Sequence, residues 1–495
     1  MKRFWLVLLS LGLMVAFSTQ AMAVDVKVAG SYYAAGMYLD KTGFRKSDAI
    51  VPLGAPAQLQ NSNPSTAFYF QRLRLGTEFI VSPGLKLITR ADIMERAWGA
   101  ARSNPAGNNV ISGASPDADL DTLSAGTRAE NENIAFDWVY LSYTSPIGIF
   151  NVGYQQDRVW GTVFGDNSQP NPKITYTTKI GDLYLGAQIG KDNERSLTAS
   201  NQFLTDTNGN LFRVSDADRN FYNLFAKYGA KNWEAGILFK YVDDRTNRPN
   251  PRTAGQLVQP GNIAAQDLKT WAINSLPYAK AKFGPVAVQT EIIWTYGQSK
   301  FEDPTAMGLR AAGRPDKIDL NQLAMWLDAT ADFNKFYVGG TFAYASGDDP
   351  GTADKREGGL ANGGLDYQPC LIMFNSDRGY WVGALNGYDN ANNGSELANA
   401  YFAQMRGGVR PTEKFDVMMS ASWAHADKTL AATWEGREYG WEIDVTGTYK
   451  ITNNLSYMLG AGYWFVGNFY KGTTATNQHD LSDNYMVLNK LTLTF

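Results

Sequence analysis

The stretch of sequence that decides the fold is residues 286–296, which read VAVQTEIIWTY. Its even positions include Ile292 and Trp294, whereas its odd positions include Gln289 and Glu291. A period of two places alternate side chains on opposite faces of a β-strand. The segment therefore predicts a strand with one face suited to lipid and the other suited to water.

The same alternation recurs along the chain, for example in residues 233–241 and 441–449. The pattern predicts 18 strands, an even number that is typical of bacterial outer-membrane barrels. They lie near 24–38, 66–81, 84–98, 132–145, 148–158, 172–180, 183–191, 217–229, 232–243, 268–283, 286–299, 319–334, 336–346, 397–411, 414–426, 434–451, 454–470 and 482–495.

The connections between these strands alternate between short and long. Short turns such as 82–84, 146–148, 180–182 and 284–285 separate long polar loops, among them 39–65, 99–131, 192–216, 244–267 and 347–396. A soluble β-sandwich also alternates, but it has no reason to lengthen every second connection. The sequence thus predicts an all-β, 18-stranded antiparallel transmembrane barrel with short periplasmic turns and long extracellular loops. It must close, since an unpaired edge in lipid costs several kcal/mol per backbone group.

Both ends of the chain fit this prediction. Residues 1–23 contain a basic start, an apolar run and Ala21-Met22-Ala23, which predicts a secretory signal peptide rather than a short membrane anchor. The barrel would then occupy 24–495. The last strand ends on Phe495, as in proteins that present their last strand to the barrel-assembly machinery.

Composition excludes several classes of protein. The single cysteine, Cys370, allows neither an internal disulfide nor a haem-attachment pair, and two histidines supply no His-rich metal site. The net charge of −3 indicates no nucleic-acid partner. Residues 206–210 and the acids at 117–121 look like calcium-loop fragments but lack the full pattern, so we interpret them as surface loops. We expect no cofactor, no metal and no enzymatic activity.

The strand parity turns many charged side chains toward the lumen. An arginine facing lipid at the midplane costs roughly 2–4 kcal/mol, so these side chains are predicted to line the pore. The set is Arg72, Arg74, Glu78, Arg90, Asp92, Arg96, Glu234, Lys240, Glu291, Asp328, Arg406, Arg410, Glu442 and Asp444. Two interpretations stay open: a basic wall that screens solutes by charge, or charges that pair with each other and stiffen the barrel. Loop 347–396 either folds into the lumen or caps the mouth.

Three stretches carry a resemblance: residues 71–74 (QRLR), 344–359 (YASGDDPGTADKREGG) and 439–465 (YGWEIDVTGTYKITNNLSYMLGAGYWF). They resemble the alginate-export family of 18-stranded outer-membrane barrels, and the whole chain is similar to porins of metal-reducing bacteria. The resemblance implies that Arg72 and Arg74 attract an acidic polysaccharide. The acids on the other walls depart from the uniformly basic pore of that family.

The sequence favours a porin for passive diffusion of small hydrophilic solutes or ions, in the outer membrane of a Gram-negative bacterium. The alternatives are an export channel for an anionic polysaccharide, which needs periplasmic partners, and a structural sheath for an electron-transfer cytochrome. A barrel enzyme lacks a candidate catalytic triad. Expected partners are outer-membrane lipid, lipopolysaccharide and the assembly machinery, and a homo-oligomer stays open.

Overall fold

The protein is described by a computed structural model that covers most of the chain. The described residues are 24–46, 64–99, 134–194, 203–205, 211–213, 218–246, 268–301, 315, 317–360, 364–389, 391–393, 396–434, 436–473 and 480–495. The predicted signal peptide, the calcium-like fragments at 117–121 and 206–210, and His479 lie outside these residues.

Eighteen long antiparallel strands form one sheet, which confirms the predicted fold class. They are β1 Asp25–Leu39, β2 Thr66–Ser82, β3 Leu85–Ala97, β4 Ile134–Ser145, β5 Gly148–Gln156, β6 Pro170–Ile180, β7 Leu183–Asn193, β8 Arg219–Gly229, β9 Trp233–Asp244, β10 Leu268–Phe283, β11 Val286–Phe301, β12 Lys317–Asp332, β13 Phe336–Ala345, β14 Ala400–Thr412, β15 Phe415–Ala426, β16 Glu438–Lys450, β17 Leu455–Val466 and β18 Asn484–Thr494.

The sheet closes on itself because β1 pairs with β18. The pairing runs from Ser31 opposite Thr494 to Leu39 opposite Met486. Gly30 and Phe495 then exchange two backbone hydrogen bonds of 2.8 and 3.0 Å at the end of this seam. Closure satisfies the edge groups that an open sheet would expose to lipid.

The outer face of the barrel is apolar. Leu224 is 66% exposed and Met405 is 72% exposed, and the aromatic side chains of Trp233 and Trp441 also point outward. Inward neighbours on the same strands, such as Asn223 and Glu442, are buried. Soluble proteins bury apolar side chains and expose polar ones, and this barrel does the reverse. That arrangement is expected of a barrel surrounded by hydrocarbon.

Some elements differ from their predicted bounds. The strand predicted at 454–470 ends at Val466, and it is followed by a 3₁₀ turn, Asn468–Lys471, whose Phe469 and Tyr470 are buried in the core. Helix α1, Ser376–Val382, and short pairings at Lys355–Arg356, Leu385–Asn386 and Asn392–Asn393 lie in the loop between β13 and β14, and a small hairpin pairs Phe203–Thr205 with Leu211–Arg213. None of the helices that the structure describes is long and apolar enough to cross a membrane.

A β-bulge in β3 corrects one predicted pore residue. Met94 adopts φ 54°, and the register with β2 shifts between Gln71 and Leu73. The extra residue reverses the parity beyond it, so Arg96 lies opposite Gln71 rather than on the face of Arg72. The register thus places Arg96, which is buried, on the face of Gln71 instead of the predicted inner face, and Glu95 takes the inward place, 3.1 Å from Arg72.

Candidate functional site

Loop 157–169, between β5 and β6, folds into the barrel and contacts the inner faces of β10 and β11. The Thr162 backbone N–H donates to Glu291 Oε2 over 3.1 Å, and the Thr162 hydroxyl donates to the same oxygen. The Trp160 indole N–H donates to the Leu276 carbonyl over 2.8 Å. That carbonyl is open because the ladder between β10 and β11 is interrupted at Leu276 and at Pro277, which has no N–H. The loop therefore spans the lumen from β5 to β10 and β11.

Loop 346–399, between β13 and β14, also folds inward, which decides between the two predicted placements. Both oxygens of Glu442 accept backbone N–H groups, from Ile372 over 2.7 Å and from Met373 over 2.6 Å. The Gln404 amide donates to the Pro369 carbonyl over 2.6 Å. These contacts attach the middle of the loop to the inner wall at β14 and β16.

Helix α1 carries this loop across to the other side of the closing seam. Trp381 is fully buried, and its ring lies 4.3 Å from that of Phe70 on β2. Arg378, which is also buried, donates to the carbonyls of Ile372 and Gly383 within its own loop. Its pKa is lowered to about 10 by burial. The described part of the loop thus fills the side of the lumen bounded by β12–β18, β1 and β2.

The two inner loops touch each other in the middle of the barrel. Phe164 is fully buried, with its ring 6.0 Å from Trp326 on β12 and 5.4 Å from Tyr367 in loop 346–399. The Asp366 N–H donates to the Asp166 carbonyl over 3.0 Å, and the Ser168 hydroxyl donates to the Asp366 carboxylate. Together the loops form a constriction.

Asp166 lies at this contact and carries a perturbed carboxyl group. Its Oδ1 accepts the Trp160 backbone N–H over 2.7 Å. Burial raises the pKa of Asp166 to about 7, and the charge of Asp366 adds to the rise. The constriction therefore contains a group that titrates near neutral pH.

The basic residues predicted on β2 and β3 are paired with acids in the same wall. Arg74 makes two hydrogen bonds of 2.6 Å to Asp92, and Arg72 lies 3.1 Å from Glu95. Arg90 lies 2.7 Å from Asp137 on β4, an acid that the parity analysis did not single out. This wall is a network of alternating charges rather than a row of free cations.

Other predicted residues are also paired, many of them near the short turns. Arg406 lies 2.8 Å from Asp328, Arg410 bridges Asp332 and Asp416 at 2.9 Å each, Glu78 lies 3.0 Å from Lys86, and Glu234 lies 2.8 Å from Lys227. Glu291, Glu442 and Asp444 lie on the inner face beneath the loops, where each carboxylate accepts a loop N–H.

Lys240 belongs to a buried cluster around Asp157. Lys173 lies 2.7 Å and Lys240 3.3 Å from the Asp157 carboxylate. Burial alone would raise the pKa of Asp157, but Lys240 and Lys173 lower it to about 2. The acid is therefore ionised, and it shares its charge between two lysines.

Beside these loops a cavity of about 420 Å³ lies along the inner faces of β5–β12. A second cavity of about 490 Å³ lies between the loops and β12–β14, where Asp328, Gln404 and Arg406 line it with Tyr367. Cavities of this size hold small molecules. They mark the part of the lumen that the loops leave open.

Among the described residues, one group combines side chains that can ligate a metal ion at suitable spacing. It consists of Cys370, Glu442 and Asp444, whose ligand atoms lie within 4.8 Å of one another. The Glu442 oxygens already accept two loop N–H groups and Asp444 accepts a third, from Leu371. Burial raises the pKa of the Cys370 thiol, which keeps it protonated. We interpret the group as the attachment point of loop 346–399.

Sequence analysis missed the inward course of loop 157–169, because a short polar loop has no periodicity that reveals its direction. It also missed the large role of small residues on β13–β15. Ala343, Ala345, Ala400, Ala424 and Ala426 are fully buried against the loop. On the inner face of a water-filled barrel we expect polar side chains. Alanines at inward positions of these strands were the signal that a loop packs against the wall there.

No protein-family model matches the sequence, and no curated protein matches it. Among solved structures, the chain is similar to Pseudomonas aeruginosa OccK9 (OpdG), with 13% identity over 95% of this chain and 99% of that chain, and a TM-score of 0.47. It is also similar to OccK3 (OpdO) of the same organism, with 11% identity, 95% and 96% coverage and a TM-score of 0.46. A third similar structure is Acinetobacter baumannii OccAB4, with 11% identity, 95% and 97% coverage and a TM-score of 0.46.

Proposed function

We propose that the protein is an outer-membrane channel through which small hydrophilic solutes diffuse passively. The observation that carries this proposal is a closed barrel with an apolar outside, whose lumen is narrowed by two inward loops and keeps cavities of about 420 and 490 Å³ beside them. A barrel of this strand number leaves an aqueous interior. The loops then limit the size of what passes.

The size of the open space supports small solutes rather than polymers. The cavity along β5–β12 measures about 420 Å³, which suits a molecule of one or two sugar rings. A polysaccharide would have to displace Phe164 and Tyr367, which pack against each other across the lumen. The alginate-export resemblance implies that Arg72 and Arg74 attract an acidic polysaccharide. In the structure these arginines form ion pairs with Glu95 and Asp92. The export and sheath functions stay alternatives.

The same proposal places the barrel in the outer membrane, with lipid against the apolar face. Phe495 pairs with Gly30 at the closing seam, so the last strand completes the barrel, as it would when released by the assembly machinery. Lipopolysaccharide contacts and a homo-oligomer stay predictions.

Liposome swelling tests the proposed function. Proteoliposomes that contain the refolded protein are placed in isotonic glycine, arabinose or raffinose, and light scattering follows solute entry. We expect entry to slow as the solute grows, with raffinose nearly excluded. Phe164→Ala should raise raffinose entry, since it removes the ring at the contact between the loops. Swelling no faster than that of protein-free liposomes, from protein shown by gel mobility to be folded, would overturn the proposal.

A further inference from the structure

A continuous row of polar side chains crosses eight neighbouring strands of the lumen wall. Cα partners in register link each residue to the next from β5 to β12. The row, here called the polar belt, is Asn151, Thr175, Gln188, Asn223, Lys240, Asn274, Thr295 and Gln322. Every member lines the cavity of about 420 Å³. Because paired residues share a face of a sheet, the belt presents amides, hydroxyls and the ammonium of Lys240 about 5 Å apart along one line.

The belt has hydrogen-bonding capacity that its own contacts leave unused. Asn223 donates to the Gln188 amide oxygen over 2.7 Å, and Thr295 donates to Asn274 over 2.6 Å. The amide oxygens of Asn223 and Asn151 are buried acceptors with no donor among the described residues. The terminal torsion of an asparagine is soft, so a modest rotation turns such an oxygen to the cavity. A ligand that brings N–H or O–H donors would satisfy it.

The cations around the cavity are neutralised by acids of the protein. Lys173 and Lys240 share Asp157, at 2.7 and 3.3 Å. Arg158 and Arg219 both contact Asp192, at 3.5 and 3.1 Å. A carboxylate group would lose its hydration here without gaining a cation of its own, and it brings no donor to the open amide oxygens.

One flat apolar surface lies within the same cavity. Trp160 is fixed by its indole N–H bond to Leu276 and by rings of Phe225 and Tyr278, with centroids at 5.3 and 5.5 Å. A Cβ on Gly236 would lie 2.6 Å from Tyr278 and 3.1 Å from Trp160, so glycine leaves room for both rings. The C–H face of a sugar ring fits against such an aromatic surface while its hydroxyls reach polar groups.

We propose that the polar belt and Trp160 form a binding site for neutral, polyhydroxylated solutes of sugar size, and that the channel prefers them to carboxylates of the same skeleton. The inference rests on the proposed channel function and names its substrate class. A neutral polyol offers donors to the open amide oxygens and acceptors to the amide N–H groups. It also leaves the paired charges undisturbed.

Current block in planar bilayers tests the preference with three solutes that share one pyranose ring: glucose, glucuronate and glucosamine. Each is titrated into KCl-bathed single channels, and the half-blocking concentration is read. We expect glucose to block at roughly tenfold lower concentration than glucuronate, because the carboxylate is desolvated without a free cation. Glucosamine should also block more weakly than glucose, since Asp157 and Asp192 beside the cavity are already paired with cations and Asp166 already accepts the Trp160 N–H.

Variants distinguish solute binding at the polar belt and Trp160 from changes that any substitution on the lumen wall would cause. Asn223→Leu and Trp160→Ala should each weaken glucose block about fivefold, the loss of one hydrogen bond or one aromatic contact. Gln289→Leu is the matched control, because Gln289 lies on the inner face of β11 outside the cavity lining. Its glucose block should match wild type. All variants are first shown to fold by their gel mobility before and after heating.

Asp157→Asn tests the charge argument by gain of function. Removing this carboxylate leaves Lys173 and Lys240 without their shared partner, so glucuronate block should strengthen about tenfold while glucose block changes less than about twofold. Channels that conduct KCl but are blocked equally by glucose and glucuronate would overturn the sugar preference and leave the proposed channel standing. Folded protein that conducts nothing would overturn the channel itself.

Discussion

Glu442 shows how one inward carboxylate determines the course of a long loop. Its side chain is fully buried on β16, and its two oxygens accept the N–H groups of Ile372 and Met373. A buried N–H that is left without an acceptor costs roughly 1–3 kcal/mol, so both bonds contribute to the position of the loop. Parity predicts that the residue faces inward, and from the inner face it holds the backbone that narrows the pore.

Glu442→Gln should release the middle of loop 346–399. A glutamine accepts with one oxygen only and turns its NH₂ toward the second loop N–H, so the attached state loses roughly 1.5–3 kcal/mol. Cys370 is buried in that loop and is the one cysteine of the chain, which makes it a native reporter. We expect its rate of labelling by a maleimide reagent to rise tenfold or more, since about 1.4 kcal/mol corresponds to a factor of ten.

Glu438→Gln is the control for this measurement. Glu438 lies on the same strand, and its carboxylate accepts the Trp423 indole N–H rather than a loop N–H. Labelling of Cys370 in this variant should remain as slow as in wild type. Equal labelling rates for Glu442→Gln and wild type would show that the carboxylate does not hold the loop.

Loop 157–169 should respond to pH through Asp166. The pKa of this carboxyl is raised by burial to about 7 from its ordinary value of 3.8. A raised pKa means that the native contact binds the proton more tightly than the unfolded chain, so its stabilisation is complete below the ordinary value and is lost as pH rises through about 7. Between pH 6 and pH 8 the docking of the loop should weaken by at most about 1.4 kcal/mol.

The readout is the open-channel current noise of single channels between those two pH values. Noise from loop motion should increase with pH in wild type and stay flat in Asp166→Asn, which cannot ionise. Asp349→Asn is the matched control, because Asp349 lies in the other inner loop. The backbone N–H of Gly351 and the side-chain ammonium of Lys428 lower the pKa of Asp349. If the current noise still rises with pH in Asp166→Asn, another group causes the rise.

At the level of strands, the sequence predicts what depends on the two-residue period alone. Residues 286–296 alternate as predicted, and β11 begins at Val286 in the structure. Features that depend on the register between neighbouring strands were not predicted. The bulge at Met94 reverses the face of Arg96, and the belt from Asn151 to Gln322 emerges only when eight strands are aligned. Register is set by turns and by neighbours, which no single strand contains.

For the molecule as a whole, the rhythm of the strands and the alternation of short and long connections were sufficient to predict a closed barrel. They said nothing of where the long loops go, because loop direction depends on contacts with distant walls, such as Thr162 with Glu291 and Trp381 with Phe70. The charged lumen was predicted by parity. Its pairing into networks, such as Arg74 with Asp92, required the fold.

The central claim is that this closed barrel holds an open, water-filled passage narrowed by its own loops. Single-channel recording of the purified, refolded protein in a planar bilayer tests it most directly. We expect discrete, ohmic current steps, and larger steps for Phe164→Ala, in which the ring between Trp326 and Tyr367 is lost. Folded wild-type protein that inserts and gives no steps, or steps that Phe164→Ala leaves unchanged, would contradict the claim.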